Sequence, residues 1–195
     1  EMCIRDRYLA ERFFQDKPIS LTARLVFEQS YAEIDGDSAS STELYALLSS
    51  LSKTPIQQGI AVTGSVNQKG EIQSIGGINE KIEGYFEVCK IIGFNGEQGI
   101  MIPSSNVQNL MLKKEVIEAV KENKFKIWAV DNIDDGIEVL TGIRSGTIEE
   151  EGSINWLVNK TLNDYSELLK EFSEEEEAEK KSNTPQHWIS DIVMK

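Results

Sequence analysis

Histidine is nearly missing from this 195-residue chain: one occurs, His187, in a polar, charged stretch near its end. A serine nucleophile would then need another base, a lysine or a carboxylate, and that sets aside the common histidine-based triads. Two cysteines, Cys3 and Cys89, are too few for a disulfide framework, and a reducing compartment, the cytoplasm, is the simpler reading. One histidine with two scattered cysteines also makes a poor zinc-ligand set, so no metal site is expected. No stretch approaches the roughly 18–20 apolar residues that cross a bilayer. Residues 1–7 are charged and lack the apolar core of a secretory signal. The first residue is Glu1, not methionine, and the chain reads as a fragment. Positive charge is scarce as well. A net charge of −13 argues against nucleic acid and anionic membranes as partners, since both need cationic patches.

What is present fits one domain with a real core plus an appendage, at 39% hydrophobic residues. Residues 20–34 favour a strand, with Leu21, Ala23, Leu25 and Phe27 alternating with Thr22, Arg24, Val26 and Glu28. A helix follows, with Ser40 and Glu43 at capping-box spacing and Leu44, Leu47, Leu48 and Leu51 on one face. Thr54-Pro55 ends it. Residues 59–66 and 71–75 read as the arms of a hairpin around the turn 67–70. A second helix covers 78–92, with Ile78, Ile82, Tyr85, Phe86 and Cys89 on one side, and Gly93 closes it. Residues 99–102 read as a buried strand stopped by Pro103, 107–122 as a helix, 125–130 as a strand, and 133–140 as a short helix closed near Gly142.

This order gives an α+β fold with α/β-like layers. It divides into residues 1–19, an N-terminal remnant or linker; the domain at 20–142; a helical extension at 143–173; and an acidic tail at 174–195, read as disordered. Within the extension, 144–152 reads as a linker. Ser153 is placed to cap a last helix whose stripe, Ile154 to Phe172, must pack on this domain or on a neighbouring subunit.

Two residues stand out chemically. Ser38, in Asp35-Gly36-Asp37-Ser38-Ala39-Ser40, sits where a strand turns into a helix, and free N–H groups at a helix start can stabilise an oxyanion. The plainer use of Ser38, Ser40 and Ser41 is as helix caps. Lys81 falls at the border of its helix's apolar stripe and is expected to be partly buried. Burial without a paired charge lowers a lysine pKa by as much as about 3–5 units, which is what makes a lysine a base. The plainer use is a lysine snorkelling on a helix flank. Gly76-Gly77 before a helix is a weak phosphate signal, and the sequence holds no Gly-x-x-x-x-Gly-Lys-Ser/Thr run. Asp35 and Asp37 around a glycine are commoner as turn formers than as a metal or glycosidase pair.

Residues 21–142 resemble the proteolytic domain of Lon proteases, in particular the B-type and Lon-related bacterial branch. Four ordered motifs carry the resemblance: Asp35-Gly36-Asp37-Ser38-Ala39-Ser40; Val62-Thr63-Gly64-Ser65; Gly76-Gly77-Ile78-Asn79-Glu80-Lys81; and Ile102-Pro103. The 43-residue spacing of Ser38 and Lys81 is similar to the family's as well. The resemblance implies an ATP-dependent serine endopeptidase acting on unfolded proteins, with Ser38 as nucleophile, Lys81 as general base and Thr63 orienting the lysine. It implies that Asp37, and Asp35 with it, lie near the dyad, where a carboxylate beside Lys81 would favour the charged lysine. It implies hexameric rings, and no cofactor in this chain; ATP and magnesium belong to an ATPase module expected upstream. Two rivals stand beside this reading. One is a catalytically silent ring-assembly module. The other is a different Ser-Lys hydrolase, such as an amidase or a viral-type processing protease.

Overall fold

A computed structural model describes residues 4–14, 21, 23–26 and 36–182. In chain order its elements are α1 (Ile4–Phe13), α2 (Ser40–Ser52), β1 (Ile60–Val62), β2 (Ser65–Val66), β3 (Ile72–Gln73), α3 (Ile78–Ile92), β4 (Gly99–Pro103), a 3₁₀ turn (Ser104–Asn109), α4 (Lys114–Lys121), β5 (Lys126–Val130), α5 (Ile133–Thr141) and α6 (Ile154–Ser182). The α+β class expected from the element order is what forms.

The frame is a parallel three-stranded sheet in the order β1-β4-β5. Its central strand, Gly-Ile-Met-Ile-Pro, is buried along its whole length, as a strand covered on both faces must be. The period of two splits its side chains between two cores. Met101 joins a layer made by α1, α2, α5 and the start of α6. Ile100 and Ile102 join a second layer with Ile78, Ile82, Phe86 and Cys89 of α3, Val116 of α4, and Phe125. Phe125 packs edge-on against Phe86, with ring centroids 5.4 Å apart. The leucine face of α2 and the apolar face of α3 are both buried as their spacing predicts. Lys53 and Gly93, each at positive φ, cap the two helices.

The structure departs from the sequence pattern in several places. The first hairpin arm, 59–66, is two strands. β1 pairs with β4 in the parallel sheet, whereas β2 pairs with β3 in a separate antiparallel hairpin. The break falls at Thr63-Gly64, where Thr63 N–H still bonds Met101 O but Gly64 N–H has turned to Ser38 O. Of the strand expected at 20–34, residues 21 and 23–26 carry no regular structure and the rest lie outside the described residues. Ala39, not Ser40, is the N-cap of α2, so the capping box does not form. The helix expected at 107–122 starts only at Lys114. Ahead of it, Asn79 ties the chain down, donating to Asn109 O and accepting from Met111 N–H.

Both ends also differ. The N-terminal region is not a loose remnant, because α1 buries Tyr8, Leu9 and Phe13 in the first core. Arg12 of α1 pairs with Asp134 of α5 at 2.7 Å. Residues 144–152 are a pinned connector, not a linker. Ser145 donates twice to Glu138 Oε1 and accepts Asn155 N–H. These two bonds, the backbone N–H first, hold the Glu138 carboxyl below its ordinary value. Ser153 does cap α6, accepting Trp156 N–H at 3.2 Å. That helix continues through residue 182, so 174–182 are helical instead of disordered. Glu, Ala and Lys are strong helix formers, and here propensity outweighs the acidic composition. Residues 183–195, with His187, lie outside the described residues. In α6 Ile154, Val158 and Leu162 are buried, whereas Leu168, Leu169 and Phe172 are exposed. Among the described residues no helix is long and apolar enough to cross a membrane.

Candidate active site

Ser38 lies in a turn just before α2, and Lys81 lies in the first turn of α3. The two helices belong to opposite layers, and the residues meet beyond the carboxyl end of β1. That end of a parallel strand is where open α/β sheets place their ligand sites.

The strip Thr63–Val66 holds the turn in place. Gly64 N–H donates to Ser38 O at 2.9 Å, and Thr63 Oγ1 donates to the same oxygen at 3.3 Å. Ser41 Oγ donates to Gly64 O at 2.8 Å. Val66 N–H donates to Ser40 Oγ at 3.0 Å, and Ser65 Oγ donates to Asp37 Oδ2 at 2.6 Å. Ser40 and Ser41 are thus cross-ties to the hairpin, not caps.

On the other side, Gly77 enters α3 at φ +66°, the left-handed region that glycine adopts without strain. Its carbonyl accepts Lys81 N–H at 3.0 Å, which fixes the lysine's place in the first turn. Side chains lean toward a helix's N-terminus, so Lys81 reaches back to the Ser38 turn. Its Nζ lies 2.8 Å from Ser38 Oγ and 3.3 Å from Thr63 Oγ1. Three of the residues singled out in the sequence, Ser38, Lys81 and Thr63, therefore converge. Thr63 is buried, and Lys81 is exposed. The partial burial expected of Lys81 does not occur within this chain: a stripe's border gives an angle around the helix, not a cover over it.

Asp37 is bonded to Ser65, and among the described residues Lys81 forms no ion pair. Asp35 lies outside the described residues. The N–H groups at the start of α2 are largely claimed, because Ser40 bonds Asp37 O, Ser41 bonds Gly64 O and Thr42 bonds Ala39 O. Among the described residues, the Ser38 and Ala39 N–H groups have no acceptor. At Gly76-Gly77 a carboxylate intrudes: Glu80 Oε2 lies 3.7 Å from where a Gly77 side chain would start, which disfavours an anion there.

Two supporting residues escaped the sequence reading. Ser65 looked like one more polar residue in a strand. Asn106, 4% exposed, donates to Ile75 O and accepts Ile75 N–H, both at 3.0 Å, anchoring the loop that leads into Gly76-Gly77. Asn106 falls between the strand expected at 99–102 and the helix expected at 107–122, where nothing in the sequence marks it.

A groove of about 290 Å³ runs beside Ser38 along the hairpin, lined by Asp37, Ser65, Asn67, Lys69, Glu71 and Gln73. It is open, and most of its lining side chains are polar. A larger cavity, about 540 Å³, lies between α3 and α4 and holds none of the candidate residues.

A family model described as the Lon protease (S16) C-terminal proteolytic domain matches residues 26–142. A protein designated a Lon protease homolog in Escherichia coli (strain K12) is 47% identical over 142 residues, covering 73% of this chain and 24% of that protein. A similarly designated protein of Haemophilus influenzae is 47% identical over 124 residues, covering 64% of this chain and 21% of that protein. An archaeal Lon protease of Pyrococcus abyssi is 34% identical over 113 residues, covering 58% of this chain and 10% of that protein. The chain thus spans about a quarter or less of the length of these relatives.

Proposed function

Because the chain belongs to the Lon protease (S16) C-terminal proteolytic-domain family, we propose that it is the peptide-cleaving unit of a serine endopeptidase, working through a Ser38–Lys81 dyad. The 2.8 Å spacing between Ser38 Oγ and Lys81 Nζ carries this reading. It is the hydrogen-bond reach that proton transfer needs.

In the first step Ser38 Oγ attacks the scissile carbonyl carbon while its proton passes to Lys81 Nζ. The tetrahedral oxyanion falls to the N–H groups of the turn, Ser38 and Ala39, which have no acceptor among the described residues. The C–N bond then breaks, and Lys81 returns the proton to the leaving amine. Water attacks the resulting ester, with Lys81 again taking a proton, and Ser38 is regenerated. Thr63 Oγ1 contributes by fixing Nζ against both the serine side chain and its carbonyl. The groove along β2 takes the substrate, an unfolded segment of polypeptide.

Lys81 needs to be neutral to act as a base, and desolvation is the usual way to achieve that. Its exposure in the single chain supports activity that depends on assembly into a ring, hexameric in this reading, whose neighbour covers the lysine. ATP and magnesium do not fit the residues present. The sequence has no phosphate-cradling glycine-lysine loop, and Glu80 stands at the one glycine-led helix start near the site. ATP dependence is assigned to a module outside this sequence, and the cytoplasm to the whole protein. The same exposure of Lys81 favours, as the second reading, a catalytically silent ring-assembly module.

The test is cleavage of an unstructured protein by wild type, Ser38→Ala and Lys81→Ala, with products read by mass spectrometry. Cleavage by wild type that is lost in both variants supports the dyad. Cleavage that survives in both ends it. Ring formation without cleavage by wild type favours the silent module.

A further inference from the structure

Asp37 sets a problem that the dyad reading leaves open. It directly precedes Ser38, whose Oγ lies 2.8 Å from Lys81 Nζ, so a carboxylate sits one residue from the lysine's hydrogen-bond partner. An opposite charge within about 4–6 Å would hold the lysine in its charged form and take it out of service as a base. Yet Asp37 Oδ2 is engaged elsewhere, accepting the Ser65 hydroxyl at 2.6 Å.

We propose that Ser65 is a positioning residue for the dyad: it holds the Asp37 carboxylate off Lys81 so that Lys81 can take the Ser38 proton. This rests on the Ser38–Lys81 reading.

The geometry favours a fixed role for Ser65. It is 4% exposed, and its backbone is set by the β2–β3 pairing with Gln73. Its neighbour Val66 is tied through N–H to Ser40 Oγ, on the far side of the nucleophile. The strip therefore grips the Asp37–Ser40 turn at both ends and keeps the hydroxyl within reach of the carboxylate. A serine hydroxyl satisfies a carboxylate oxygen without adding charge, so it restrains Asp37 with no electrostatic effect of its own on the lysine.

Other charged groups stand on the elements around the dyad. On α3, Glu83 pairs with Lys113 at 3.2 Å and Glu80 turns back to Gly77. On the hairpin, Glu71 accepts from Asn67 Nδ2 at 2.6 Å, and Lys69 lines the same groove as Asp37. Glu43 stands in the first turn of α2. Asp35, outside the described residues, is common to every variant below, so differences among them isolate Asp37.

The experiment uses the full chain as wild type, Ser65→Ala, Ser65→Thr, Asp37→Asn and the double variant Ser65→Ala/Asp37→Asn. Two curves are taken for each: the Lys81 side-chain Cε chemical shift against pH, and the labelling rate of Ser38 by a fluorophosphonate against pH. In Ser65→Ala both curves are expected to move to higher pH. Ser65→Thr keeps them in place, and the double variant brings them back. Asp37→Asn alone leaves the lysine curve where wild type has it. Coincident lysine curves for wild type and Ser65→Ala overturn the proposal. So does a downward move in Asp37→Asn, which covers the case in which Ser65→Ala fails to fold. If the lysine curve moves as expected but Ser38 is never labelled in assembled wild-type rings, the dyad reading fails and the restraint on Asp37 stands. If Ser38 is labelled and the lysine curve stays put, the dyad stands and the restraint fails.

Discussion

Tyr45 and Gly136 share a space that admits a side chain from only one of them. A Cβ built on Gly136 would fall 1.8 Å from the Tyr45 hydroxyl oxygen, inside the core between α2 and α5. The glycine therefore does a packing job in mid-helix, where glycine otherwise weakens the element. Gly136→Ala is expected to cost about 1–3 kcal/mol, as overpacked cores do. Urea denaturation measures it, and an unchanged midpoint would show that the two residues are not in contact.

Burial pushes Tyr8 up to about 12 from 10.0 and pushes Tyr45 higher still, each with smaller contributions from neighbouring charges. Folding favours the neutral phenols, so this stabilisation is complete below pH 10 and is lost as the pH rises through the folded values. The chain should therefore lose stability steeply above pH 10, and tyrosinate absorbance should rise together with unfolding. Tyr45→Phe should flatten the alkaline slope, and an unaltered slope would rule out Tyr45 as its source.

Thr63→Val removes the hydroxyl between Lys81 Nζ and Ser38 O while keeping the shape of the side chain. Hydrogen bonds of this kind contribute about 0.5–1.5 kcal/mol, so peptide cleavage should slow by up to about tenfold with the fold intact. Thr63→Ser should retain most of the rate. Equal rates in wild type and Thr63→Val would remove Thr63 from the site.

Leu9 tests whether α1 belongs to the domain. It is 3% exposed within the first core. Leu9→Ala should destabilise the whole domain by about 2–5 kcal/mol in a single cooperative transition. A loss confined to local fraying of α1 would make it an appendage after all.

What the sequence made legible was mostly periodic. The leucines of α2, the stripe of α3 and the run Gly99–Pro103 announce buried faces through local spacing alone. Ser38 and Lys81 were legible too, though only through a family resemblance, since each is commoner as a cap or a snorkelling side chain. The features that stayed hidden are tertiary. Nothing local tells residues 59–66 to divide between a parallel sheet and a hairpin, because both arms have strand character and the choice is made by β4. Nothing local shows that Ser65 will find Asp37, or that Lys81, at the edge of a stripe, will be left uncovered. Core positions in α1 were missed because its apolar residues are interleaved with the charges Arg5, Asp6, Arg7, Glu11 and Arg12.

Ser38 and Lys81 are attached to different hydrophobic layers, one through α2 and the other through α3, with the parallel sheet between them. Their 2.8 Å separation is thus a gauge of how the two layers sit against that sheet. Interiors this tightly packed pass on small shifts instead of absorbing them. A slip of an ångström between layers, too small to register as unfolding, would part the two side chains. Gentle warming or remote core substitutions should therefore silence the site well before the domain melts.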